Sequence, residues 1–70
     1  MSDRILTRAI RAYFRWARRE GLIADQPSVT ASFVSTRGIV HLRNIRGELA
    51  RYRYARASDR LSRIAAPGAA

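Results

Sequence analysis

Cysteine is missing from the 70-residue chain, and so is lysine. The first absence excludes a disulfide frame and the usual cysteine-rich zinc site, and it fits a reducing compartment. The single histidine, His41, cannot form a metal site alone, so neither a metal nor a cofactor is expected. Acids are scarce: five Asp and Glu, scattered singly, stand against 14 arginines for a net charge of +9. Paired carboxylates for general acid–base work are therefore absent. No glycine-rich phosphate loop and no Ser/His/Asp order that compels a triad is seen. A nuclease would need a carboxylate cluster or a histidine pair. The expectation is a chain that is not an enzyme.

Long apolar runs are also missing, since none exceeds three residues. That excludes a membrane-spanning helix and the apolar core of a secretory signal. The first 20 residues share the arginine-rich, acid-poor character of a transit peptide. They also carry Tyr13, Phe14 and Trp16 at core-like positions, which favours a folded helix. The expected location is the cytoplasm, on the nucleoid if the partner is DNA.

What is present is one long helical pattern followed by a run of period two. Residues 3–20 predict a helix, with Ser2 as N-cap, Asp3 in the first turn and Gly21 as the stop. Ile5, Leu6, Ala9, Ile10, Tyr13, Phe14, Trp16 and Ala17 share one side. Arg4, Arg8, Arg11, Arg15, Arg18 and Arg19 fall within an arc of about 100° on the other. Residues 22–28 form a connector. Strands are predicted over Val29–Ser35, Ile39–Asn44 and Glu48–Arg56. Ser35-Thr36-Arg37-Gly38 and Asn44-Ile45-Arg46-Gly47 carry type I turn chemistry, with Gly suited to a left-handed bulge position. A last turn near Ser58-Asp59 returns a fourth strand, Leu61–Ile64, in preference to a short helix. Residues 65–70 are expected to form a flexible tail after a single domain over 1–64.

If Ser35 opposes Ile39 and Asn44 opposes Glu48, Val34, Val40, Leu42, Ala50, Tyr52 and Tyr54 share a face. That face suits the apolar side of the helix. The predicted fold class is α+β: one amphipathic helix on a three- to four-stranded antiparallel meander. The expected core is Leu6, Ile10, Tyr13, Phe14, Ala17, Val34, Val40, Leu42 and Tyr52. The opposite face carries Phe33, His41 and Arg51 in one row, with Arg43 and Arg53 nearby. Val29, Ala31, Ile39 and Leu49 add apolar surface there, which leaves room for a homodimer.

The helix arginines are the main candidate binding residues. Like charges stand at i,i+4 in Arg4/Arg8, Arg11/Arg15 and Arg15/Arg19, and at i,i+3 in Arg8/Arg11 and Arg15/Arg18. Each such pair opposes the isolated helix by about 0.2–0.5 kcal/mol. A solvated face in an arginine-biased proteome would also look basic, but it would usually mix its charges. Arginine's planar fork suits phosphate and carboxylate alike. The second candidate is the sheet face, where Phe33 and His41 lie among Arg43, Arg51 and Arg53, an interleaving able to stack single-stranded bases.

The function expected first is a small nucleic-acid-binding accessory protein, holding phosphates and reading sequence weakly. The alternative is a protein-interaction module or inhibitor docking on an acidic protein or ribonucleoprotein surface. Phage and mobile-element inhibitors such as anti-CRISPR proteins share this size and layout, a likeness of scale with no motif behind it. A helix lying on anionic lipid fits less well, because the core claims its apolar side.

Overall fold

The computed structural model describes residues 2–22 and 25–64, with side chains from Arg4 onward. The caps expected at Ser2 and Asp3 and the tail over 65–70 lie outside the described side chains and residues. Helix α1 spans Ser2–Arg19, followed by β1 (Phe33–Val34), β2 (Ile39–Asn44), β3 (Gly47–Ala55) and β4 (Arg60–Ile64). The strands form one antiparallel sheet in the order β1-β2-β3-β4, the α+β meander that the turns predict. Residues 60–64 are strand, not helix. Among the described residues, no helix is long and apolar enough to cross a membrane.

The helix ends at Gly21, whose φ of 70° is in the left-handed region. Leu22 N–H donates to Ala17 C=O at 2.8 Å and Gly21 N–H to Arg18 C=O at 3.1 Å. This pair of bonds satisfies two carbonyls that the helix end would otherwise leave open.

Leu6, Ala9, Tyr13 and Ala17 are buried at intervals of three and four, so one narrow stripe of α1 meets the sheet. Val40, Leu42, Ala50 and Tyr52 are buried beneath it. Val40 and Leu42 are completely enclosed, each contributing about 1.5–3 kcal/mol relative to exposure. The expected core is too wide at the helix edges. Ile10, Phe14 and Val34 are only partly buried, while Ala9 and Ala50 take central places. A small residue at the centre of the stripe lets the helix backbone approach the sheet.

The first strand is shorter than expected. Val29–Ala31 form a turn, and only Phe33 and Val34 pair with β2. The β-branched Val29 and Thr30 favour strand, but Ser28 redirects them. Its Oγ accepts from Ala31 N–H at 3.3 Å, and its C=O accepts from Ser32 N–H at 2.9 Å. A serine that caps the following backbone in this way competes directly with a ladder. Ser32 is buried and replaces the lost pairing with its side chain. Its Oγ accepts from Arg43 N–H at 2.9 Å and donates to Arg43 C=O at 3.3 Å.

The row Val34–Val40–Tyr52 aligns as predicted. The pairing of Asn44 with Glu48 does not occur. Leu42 faces Ala50, but Arg43 faces Glu48 and Asn44 faces Gly47. Leu49 is thus an extra residue in β3, a bulge that turns Glu48 away from the helix side. The turn at Ser35–Gly38 closes with Gly38 N–H donating to Ser35 C=O at 3.0 Å. Gly38 has φ 79°, and a Cβ there would stand 3.0 Å from Tyr54 O. Both facts require glycine. The turn before β4 uses Asp59 in the left-handed region, at φ 52°.

Candidate nucleic-acid interface

The helix places its arginines opposite the buried stripe. Arg4, Arg11, Arg15, Arg18 and Arg19 are exposed. Among the described residues, no acid lies within ion-pair distance of any of these five. Three of the five acids pair with other arginines. Asp25 faces Arg46 at 3.9 Å, Glu48 faces Arg51 at 3.4 Å, and Asp59 faces Arg8 at 2.9 Å. The ridge runs along 18 residues of helix, roughly 27 Å at the standard rise.

Arg8 departs from the rest of the ridge. Its guanidinium donates to Asp59 Oδ1 at 2.9 Å and to Asp59 C=O at 3.2 Å. It lies 5.9 Å from the centre of the Tyr54 ring, and Tyr54 O–H donates to the same Asp59 Oδ1 at 2.7 Å. The hydrogen bonds from Tyr54 and Arg8 hold the Asp59 carboxyl below its ordinary pKa. The bond to Asp59 holds the Tyr54 phenol above its own. Arg8 therefore ties the first half of α1 to the β3–β4 turn.

Arginines outside the helix extend the basic surface. Arg37 and Arg56 join Arg4 and Arg8 around an open cleft whose lining includes Thr36, Gly38 and Tyr54. They meet because a meander places its first and third turns at the same end of the sheet. Toward the other end of α1, Arg63 of β4 lies over Trp16, its guanidinium carbon 3.6 Å from the ring centre. None of Arg37, Arg56 and Arg63 stands out in the sequence. Turn parity alone is enough to bring the first two together. Arg63 can be placed only once the strand register is known.

The sheet face brings its predicted residues together and sets one carboxylate against two of them. Phe33 pairs across from His41, and His41 from Arg51. The Phe33 and His41 rings stack on each other at 4.6 Å and 19°. His41 Nδ1 lies 2.6 Å from Glu48 Oε1, and Arg51 Nε lies 3.4 Å from Glu48 Oε2. The bulge delivers this carboxylate. Arg53 is exposed and Arg43 half-buried on the same face. Phe33 remains 49% exposed, so its outer ring face is open to contact.

No protein-family model, no curated protein and no solved structure matches this chain.

Proposed function

We propose that the chain is a non-enzymatic nucleic-acid-binding protein that grips phosphates through the exposed face of α1. The observation that carries this reading is the ridge of Arg4, Arg11, Arg15, Arg18 and Arg19, which has no acid partner among the described residues. Like charges along one helix face oppose folding, and a polyanion removes that opposition while releasing its own counterions. Guanidiniums on phosphates fix position and carry little sequence information, so binding is strong in dilute salt and weakly sequence-specific. The place of action on this reading is the cytoplasm, at the nucleoid if the ligand is DNA.

The test is a titration of the whole chain with duplex DNA, single-stranded DNA and RNA at two salt concentrations. Binding that survives near-physiological salt and falls steeply as salt rises supports the reading. Binding confined to very low salt rejects it.

A second reading, docking on an acidic protein surface, is favoured by the half-exposed Phe33 and by Val29, 64% exposed. It predicts a stoichiometric protein partner that survives nuclease treatment, and ridge arginines that pair with carboxylates instead of phosphates. A homodimer through that sheet face is compatible with either reading.

A further inference from the structure

We infer that the open cleft beside the first half of α1 takes unpaired nucleotides, the overhang of a duplex whose phosphates lie on the helix ridge. The cleft is bounded by α1, the β1–β2 turn and the β3–β4 turn. Its volume is about 910 Å³, and sites for small ligands run roughly 300–1,000 Å³. The inference rests on the proposed function, because a duplex on the ridge is what brings the overhang to the cleft.

Two kinds of lining meet there. Ile5, Val34 and Tyr54 supply an apolar wall, and Arg4, Arg37 and Arg56 supply charge. These three arginines are exposed, and none of them pairs with an acid among the described residues. The one acid of the lining, Asp59, is already held by Arg8 at 2.9 Å and by the Tyr54 hydroxyl at 2.7 Å. It therefore repels an incoming anion less than a free carboxylate would. An apolar wall beside cations suits an amphiphilic anion, a flat ring that carries phosphate. A strand offers one phosphate per nucleotide, so each arginine can meet a different one while a base packs on the wall. A duplex keeps its bases stacked inside and its phosphates on a convex surface, so only an unpaired stretch can fill the cleft.

The walls are held in place by the fold. Tyr54 N–H donates to Gly38 C=O at 2.9 Å, which ties β3 to the β1–β2 turn. Within that turn, Ser35 Oγ accepts from Ile39 N–H at 3.1 Å. Arg8 bonds both Oδ1 and C=O of Asp59 and so fixes the β3–β4 turn against α1. Arg4 belongs to the ridge and to the lining alike, so a strand that leaves the ridge at its first turn enters the cleft.

The experiment measures the affinity of the full chain, at near-physiological salt, for a blunt DNA duplex and for duplexes with a short 5′ or 3′ overhang. All carry the same number of phosphates, so the count of charges is not the difference. The expected result is about tenfold tighter binding of an overhang duplex than of the blunt one, the gain from about one packed base. Arg37→Ala with Arg56→Ala should bring that ratio to about one, with a melting curve as the check on its fold. Arg11→Ala with Arg18→Ala removes the same charge from the ridge. It should weaken blunt and overhang duplexes alike and keep the ratio. Equal affinity of the wild type for all the duplexes would overturn the cleft inference and leave the ridge reading standing. So would a ratio that survives in the folded Arg37→Ala, Arg56→Ala variant. Failure of every duplex to bind would reject the duplex on the ridge, and the cleft inference with it.

Discussion

The helix ridge and the open sheet face start from similar material but differ in how they pair their arginines. Each is rich in arginine and each borders aromatic residues. On the helix, Arg4, Arg11, Arg15, Arg18 and Arg19 form no ion pair with an acid among the described residues. On the sheet, one carboxylate serves two neighbours, because the bulge at Leu49 turns Glu48 toward His41 and Arg51. A count of basic residues cannot separate the two surfaces. The position of a single extra residue in β3 does, by choosing the side on which an acid emerges. A basic patch is defined by where the acids are sent as much as by where the arginines lie.

The strongest way to break the comparison is through Ser32. Its Oγ satisfies both the N–H and the C=O of Arg43, beside the bulge. Ser32→Ala leaves the part-buried Arg43 N–H without that acceptor, while the Arg43 C=O keeps Ser28 N–H at 2.7 Å, and should destabilise the fold by about 1–3 kcal/mol in urea unfolding. It should leave the ridge's salt slope unchanged at temperatures where the variant is folded.

A sharper contrast lies within the ridge itself. Arg8→Ala should lower the melting temperature, because it severs α1 from Asp59 and Tyr54. Arg11→Ala should leave it unchanged or raise it, because it removes like-charge neighbours and adds a better helix former. Acid separates them again. The Asp59 pKa is lowered by Tyr54 and Arg8, so its contribution is complete above the ordinary carboxylate range and is lost as pH falls through the lowered value. Asp59→Asn should therefore flatten stability against pH in that acid window, as followed by circular dichroism. Arg11→Ala should not.

The mildest change is Glu48→Gln. It removes the carboxylate that faces Arg51 and leaves the core untouched. If the sheet face is basic once that carboxylate is gone, its salt slope for nucleic acid should steepen by the equivalent of about one phosphate relative to wild type. An unchanged slope would mean that the sheet face does not meet the ligand.

Much of the fold was legible because its signals are local. Gly21, Gly38 and Gly47 sit where the chain needs left-handed backbone, and the helix stripe follows from the spacing of Leu6, Tyr13 and Ala17. The misplacements have physical causes. Val29 and Thr30 carry strand propensity, but the preceding Ser28 captures the backbone of the turn. The bulge at Leu49 left a trace in the sequence, since unbroken alternation would place charged Glu48 beside Ala50 and Tyr52 toward the core. That conflict is the signature of an extra residue. The capture of Arg8 by Asp59 spans 51 positions and depends on the docking of α1, so no local pattern announces it. The candidate site was therefore legible as a helix face, but not as a face from which Arg8 is withdrawn and to which Arg63 is added.

The central claim is that the unpaired helix arginines hold phosphates. It is tested most directly by Arg4, Arg11 and Arg18 changed together to Ala, a variant that spares Arg8. The measurement is the slope of log affinity against log salt for duplex DNA, in wild type and variant, with melting curves for both. The account predicts a folded variant, at least as stable as wild type, whose slope is shallower by about 0.9 for each phosphate that it no longer holds. A folded variant with the wild-type slope and affinity would contradict it.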